Sequence, residues 1–472
     1  MKRKNLQTTL KNFTRIYSAA RKSNDGGRCM IAPHPDLRKQ INEAITKLKA
    51  STKTSILANK VKFQEPARVG LNDGLVHPGD MFGLGTPATV ARSPQIDKAP
   101  LRGTLRVIVV LVEFSDKKMT ETKKHFEDLF FSTGVISTGS VNEYYKEVTG
   151  GLIDIKGQVV GPFKLPKTLA QYAHGASGMG STAPNARTMA KDAAVRANPS
   201  VNFSLYDNDG DNFVGAFVVV HAGTGAETNN NPGDIWSHKW VLSGGSYAAD
   251  GATKIYSYLT VPEDCKLGVC AHELGHLLFR FPDLYDTDYS SSGIGDWCLM
   301  AGGSWNNNGL TPAHPSAWCK CNQGWISVKV PTSNQTQVSI PDVKTGFKVF
   351  KLWKNGTPNK EYFLVENRQK TKFDKYLPGA GLLVWHIDDT LSENSDEAHY
   401  KVALLQADGL KQLESATNQG DTADPFPGSG IKKSITKTTT PNTLSYGGVD
   451  TFVSLKRISP SAATMSADIA VR

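Results

Sequence analysis

At 472 residues, with 39% hydrophobic and 21% charged side chains, the chain is long enough for a sizeable core and more than one folding unit. Its longest purely aliphatic run, Val107 to Val112, covers six residues, against the roughly 18 a membrane-spanning helix requires, so no membrane insertion is expected. The formal charge of +10 is uneven: residues 1–60 carry 14 Lys/Arg and 3 Asp/Glu, the remainder 40 and 41, so the folded body lacks the basic surplus of a nucleic-acid binder.

In chain order, residues 1–100 combine a Lys-rich helical pattern over Asp36–Ala50 with Gly/Pro-rich sequence from Val69 to Pro94, which reads as a basic pro-segment ending in a linker. The opening Met1-Lys2-Arg3-Lys4 is not followed by the ~7–15 apolar residues of a secretory signal, so no signal peptide is visible. Over 101–330 the pattern is α/β. A buried strand is expected at Arg106–Phe114, a helix at Thr120–Phe131, and a second helix opened by Ser140 with Glu143 three residues on. A strand at Leu152–Val160, a helix at Asn185–Ala197 and an apolar strand at Phe213–His221 follow.

The next helix carries the chemistry. Thr260 is expected as its cap, with Pro262, Glu263 and Asp264 in its first turn and Leu267, Leu274, Leu277 and Leu278 on its buried face. His272 and His276 stand four apart on that helix, so both imidazoles project from one side and can chelate one Zn²⁺ at ~2.0–2.1 Å. Glu273, rotated by roughly 100° from His272, is placed to act as general base for a water on the metal. A three-position pattern also arises by chance on amphipathic helices, so its surroundings matter.

No glutamate occurs between Glu273 and Glu361, which makes a glutamate third ligand on a following helix improbable. Asp283, Asp286 and Asp288 come close after His276, and a turn at Pro282 would return a carboxylate to the metal. Asp283 is the first candidate and Asp286 the reserve. Met300, in the Gly-rich stretch Gly295–Trp305, is placed like the Met-turn beneath a metal, or else is ordinary core. Beyond residue 330 helical signals stop. Short apolar runs (Phe347–Trp353, Tyr362–Val365, Leu382–Ile387, Val402–Gln406, Phe452–Leu455, Met465–Val471) indicate an antiparallel β-rich unit over 331–472.

Taken together, His272-Glu-Leu-Gly-His276, Pro282-Asp-Leu-Tyr-Asp286 and Gly295-Asp-Trp-Cys-Leu-Met-Ala-Gly-Gly-Ser-Trp305 resemble the immune inhibitor A family of bacterial metzincin-like zinc metallopeptidases. Further matches are Asp234–Trp240, Glu361–Arg368, Leu383–Asp388 and Gly420–Pro427. The resemblance implies a metzincin-like catalytic domain with a twisted sheet and active-site helix, followed by a sandwich-like β unit. It also implies zinc held by His272, His276 and an aspartate, catalysis by Glu273, protein or peptide substrates, and secretion. One departure stands out. The family has a Gly three residues after the second His and the aspartate six after it, whereas this chain has Phe279 and, seven after, Asp283.

Asp207, Asp209 and Asp211 alternate around Gly210 in a pattern suited to Ca²⁺, though not an EF-hand; an Asx-rich turn is the bland alternative. Asp421 and Asp424 form a weaker acidic pair, equally a plain turn. Cys29 in the pro-segment is a candidate latency switch, its thiolate taking the open zinc position, or an unremarkable thiol. The six cysteines are too dispersed for a disulfide scaffold, and oligomeric state is not encoded legibly. The expected activity is peptide-bond hydrolysis by a protein made as a zymogen. The competing class is a calcium-stabilised binding or adhesion module whose zinc is structural or lost.

Overall fold

A run such as Val107–Val112, aliphatic at every position, has no face for water and fits a strand covered on both sides. In the computed structural model, which describes residues 8–16, 29–51 and 100–472, that run is fully buried inside the strand Gly103–Glu113. The Gly/Pro-rich linker at Val69–Pro94 lies outside the described residues. Packing divides the chain into one unit of residues 1–143 with 153–282 and a second of 144–152 with 283–472, a partition that cuts across the three consecutive segments expected above.

The first unit is built on a six-stranded sheet. Its strands are β1 (Cys29–Met30), β2 (Gly103–Glu113), β3 (Ile153–Lys164), β4 (Phe217–His221), β5 (His238–Val241) and β6 (Ser257–Pro262), in the order β1-β5-β6-β4-β2-β3. β3, β2, β4 and β6 are mutually parallel, which requires crossover connections; β5 and β1 are antiparallel additions at one edge. The crossover helices are capped as their sequences suggest. Ser140 and Glu143 form a reciprocal box, the Ser140 Oγ accepting from the Glu143 N–H at 3.2 Å and the Glu143 carboxylate accepting from the Ser140 N–H at 3.0 Å. Asn185 caps the helix Ala186–Ala197, and Thr122 caps Lys123–Phe131.

Two expectations here are corrected. The apolar strand begins at Phe217 rather than Phe213, because the Gly215 N–H turns back to the Tyr206 carbonyl (2.8 Å) and Phe213 makes only an isolated bridge to Lys254. Thr260 does not cap a helix. It lies in β6, all six of whose residues are buried, its hydroxyl donates to the Val219 carbonyl at 2.9 Å, and the helix starts only at Leu267. Pairing with β4, some forty residues earlier, overrides the local helix-start pattern.

The second unit is β-rich. Five strands, β7 (Ser327–Lys329), β9 (Lys348–Leu352), β10 (Glu361–Arg368), β11 (Gly381–Asp388) and β12 (Val402–Leu404), run in the order β12-β11-β10-β9-β7. Three more, β8 (Gln335–Pro341), β13 (Ser454–Lys456) and β14 (Thr464–Ala470), run in the order β8-β14-β13. Pairing is antiparallel as expected except at the β9/β7 edge, and short helical turns at Val343–Gly346, Lys354–Gly356 and Lys372–Tyr376 interrupt the all-strand pattern. Phe350, Phe363, Val365 and Leu382 of the larger sheet share one core with Ile340, Leu455, Met465 and Ile469 of the smaller.

Beside that core lies a dry ionic network. The Arg368 guanidinium donates to both oxygens of Asp374 (2.7 and 2.5 Å) and to Glu366 (3.2 Å), while Lys344 reaches Asp374 at 3.3 Å. Burial alone would raise the Asp374 pKa; Arg368, His314 and Lys344 overcome it and hold the carboxyl well below the usual range. Arg368→Met would leave Glu366 and Asp374 buried without their principal cation. We expect a loss of about 3–5 kcal/mol in unfolding free energy, read by urea denaturation at pH 7.

Candidate active site

All thirteen residues of the helix Leu267–Phe279 are buried, so its histidines sit in a water-poor environment rather than on a wet surface. The helix packs on β6 and β5. Leu274, Leu277 and Leu278 each contribute about 1.5–3 kcal/mol through their burial.

Its C-terminus is closed by backbone geometry. Arg280 adopts the left-handed conformation (φ 58°), the Arg280 N–H returns to the His276 carbonyl at 3.1 Å, and the Phe281 N–H reaches the Gly275 carbonyl at 3.1 Å, a left-handed closure of the helix end followed at once by Pro282. The departure from the family pattern finds its place here. In this chain the left-handed turn falls at Arg280, and Asp283 follows it by three residues. Three is also the interval between glycine and aspartate in the pattern that the sequence resembles.

The closure orients His276. The Nδ1 of His276 lies 2.5 Å from the Phe281 carbonyl oxygen. A carbonyl only accepts, so Nδ1 carries the proton and Nε2 presents its lone pair. That Nε2 is 2.9 Å from the Nε2 of His272. Two bonds of ~2.0–2.1 Å to one tetrahedral ion put their nitrogens about 3.4 Å apart, so the donor pair fits a single zinc with a small adjustment. Glu273, fully buried, lies between them in sequence on the same helix.

The N-terminal residues meet this region within the same unit. β1 adds to the edge of β5 with Cys29 opposite Lys239 and Met30 opposite His238, and the Ile31 N–H extends the ladder to the Ser237 carbonyl at 3.2 Å. Trp236 Nε1 donates to the Ile31 carbonyl (2.9 Å), and Phe13 packs on the Trp236 ring. Cys29 is fully buried, and its sulfur lies within 4.8 Å of a ring nitrogen of His276.

Asp283 opens the longer segment of the second unit, residues 283–472, and is buried. The next residue, Leu284, donates its N–H to the Met300 carbonyl at 2.8 Å, so the Met300 turn and the Asp283 segment are bonded together. Met300 is fully buried. Asp286 has another task. Its carboxylate accepts from the Asp288 N–H (2.9 Å), the Ser290 hydroxyl (3.0 Å), and the N–H and hydroxyl of Ser291 (2.8 and 2.6 Å), which organise a loop.

Asp207, Asp209 and Asp211 converge, each offering an oxygen within 4.8 Å of the others. Asp207 also accepts from the N–H groups of Gly210, Asp211 and Asn212 in an Asx-type turn, and Arg280 lies 3.7 Å from Asp209. His238, His314 and His386 are structural, bonded to Tyr258 and Trp236, to Glu147, and to Glu361 respectively.

Two residues escaped sequence reasoning. Glu227, buried with its pKa pushed up to about 7 by desolvation, accepts from the Ser237 hydroxyl and N–H at the start of β5. Glu263, assigned above to a helix turn, instead accepts from the N–H groups of Thr120 (2.5 Å), Glu121 (3.0 Å) and Gly223 (2.7 Å), tying three loops together just before the helix. Nothing in local periodicity announces such a clamp.

Residues 97–331 match the family described as immune inhibitor A peptidase M6, catalytic domain. The chain is 31% identical over 283 residues to immune inhibitor A of Bacillus thuringiensis subsp. alesti, covering 48% of this chain and 41% of that protein. It is 28% identical over 320 residues to the pre-pro-metalloprotease PrtV of Vibrio cholerae serotype O1, covering 54% and 34%. The chain thus spans less than half the length of these relatives.

Burial raises the Glu263 pKa, and its amide donors outweigh that effect and lower it overall. Its stabilisation is therefore present above the unfolded carboxylate pKa and disappears as pH falls through the lower folded value. Glu263→Gln is expected to cost about 1.5–3 kcal/mol at pH 7. In urea unfolding at a series of pH values, the gap between wild type and variant should shrink below about pH 4.5.

Proposed function

We propose that this chain, whose residues 97–331 belong to the immune inhibitor A peptidase M6 family, is a zinc-dependent metalloendopeptidase made as a zymogen and acting outside the cell. The observation that carries the reading is the pair of buried Nε2 atoms 2.9 Å apart, with the His276 tautomer set by the Phe281 carbonyl. His272, His276 and Asp283 would hold the metal; Asp283 is favoured by its interval from the Arg280 turn and by the four donors already engaging Asp286. Zinc, when bound, supplies a Lewis acid toward a peptide carbonyl and a nucleophilic water. Glu273 takes the proton from the attacking water and returns it to the leaving amine. Met300 would floor the site, in a metzincin-like domain followed by a β-sandwich. Ca²⁺ at Asp207, Asp209 and Asp211 belongs to the same reading, bound in competition with Arg280. No helix among the described residues is long and apolar enough to cross a membrane.

Latency rests on Cys29, whose sulfur lies beside His276 on a strand that covers the sheet edge. The thiolate would hold the coordination position otherwise open to water.

For the chemistry, Glu273→Gln should lower casein cleavage by a factor of about 10² or more, while metal analysis still finds one zinc per chain. Undiminished cleavage would make Glu273 no general base, whereas no cleavage by wild type or variant would favour the binding-module class. For latency, full-length Cys29→Ser should cleave casein about tenfold or more faster than the uncut wild type. In the cobalt-substituted protein it should also lack the thiolate-to-metal absorption band. An unchanged rate and spectrum would remove Cys29 from the account.

A further inference from the structure

The second unit contains a cluster of carboxylates that the peptidase reading leaves unused. Asp408 follows β12, and Asp421 and Asp424 lie in the turn that leads to the Leu382/Phe426 bridge. Each offers an oxygen within 4.8 Å of the other two. Two of the three have an ordinary local use: the Leu410 N–H donates to Asp408, and the Ala423 N–H and Asn418 amide donate to Asp421.

Asp424 differs. It is 1% exposed, and only one of its oxygens is satisfied, Oδ2 accepting from the Asp421 N–H at 2.9 Å and from Trp297 Nε1 at 3.3 Å. Among the described residues nothing donates to Oδ1. Burial pushes its pKa up to about 7, and the charges of Asp421 and Asp408 push the same way. A fully buried carboxylate with a bare oxygen and two carboxylate neighbours is the environment a positive ion relieves.

We propose that Asp408, Asp421 and Asp424 bind a hard divalent cation, Ca²⁺, in the C-terminal unit. The donors are all oxygen, which disfavours zinc and copper. An ion with bonds of about 2.3–2.6 Å accommodates oxygen pairs up to about 5 Å apart, whereas the shorter bonds and stricter octahedron of Mg²⁺ do not. Such an ion would join the Asp408 turn to the Asp421–Asp424 turn. The intervening loop holds the Met300 region: the Asp296 N–H donates to the Gln419 carbonyl at 2.7 Å, and the Ser292 N–H donates to the Leu413 carbonyl at 2.8 Å. Calcium here would therefore brace the turn that ends in Met300.

Trp297 supplies an internal reporter, because its ring is hydrogen-bonded to Asp424 and can transfer excitation to a bound lanthanide. The test uses the full chain with zinc present. Terbium is added, indole-excited emission is recorded, and Ca²⁺ or Mg²⁺ is titrated as competitor. The expected result is emission displaced by Ca²⁺ well before Mg²⁺, weakened about tenfold or more in affinity by Asp424→Asn and by Asp408→Asn, and unchanged by Asp207→Asn.

Thermal unfolding separates a metal site from a protonated carboxyl. Wild type should gain stability with added Ca²⁺. Asp424→Asn, whose amide can donate to the neighbouring carboxylates, should fold, be at least as stable as calcium-free wild type, and lose most of that gain. Wild-type emission indifferent to Ca²⁺, or equal emission and equal calcium response in wild type and Asp424→Asn, overturns the proposal. Neither outcome depends on Glu273 or on peptidase activity.

Discussion

The hydrogen bond between the His276 ring and the Phe281 carbonyl does two jobs at once, and the candidate site depends on both. It fixes which nitrogen of His276 presents a lone pair, and it ties the chain leaving the helix to the turn that carries His276. Arg280 in the left-handed region makes the bond possible by turning the backbone back over the helix end. A glycine would adopt that conformation with less strain. The chain has accepted arginine there, and the same side chain reaches Asp209 in the acidic loop.

Buried carboxylates are handled in four ways across the molecule. Glu263 is surrounded by backbone amides, Asp374 by a guanidinium and an ammonium, and Glu227 by one serine, with a raised pKa. In the first two the charged form is retained at neutral pH because the surroundings replace what water supplied. Asp424 has neither amide cage nor cation, and its strongest electrostatic neighbours are other carboxylates. The contrast makes it stand apart from acids that merely hold a fold together.

Much of this was legible because it is local. His272, Glu273 and His276 keep their relations on any helix, and capping by Ser140 and Asn185 depends on residues three positions away. The C-terminal strands were visible as alternating runs, and six of the eight fall close to their expected places. Thr260 failed for the opposite reason. Thr-Val-Pro-Glu-Asp has the composition of a helix entry, yet β6 is claimed by a strand some forty residues back, and periodicity contains no term for such a partner. The Glu263 clamp draws on Thr120 and Gly223, and Asp408 meets Asp421 across the twelve residues between them. Spacing alone cannot announce contacts made by a fold not yet known.

The pairing of Cys29 and Met30 with the edge of β5 has a consequence for concentration. While the N-terminal segment is covalently attached, the strand faces its edge at an effective concentration on the order of millimolar. Once the connection is severed anywhere between the strand and Gly103, the same contacts must be re-formed by a separate molecule at whatever concentration the protein has. Occupancy then falls with dilution, though no contact at the edge has changed. A nicked molecule in a crowded compartment and the same molecule in a large volume would differ in how often that edge is open.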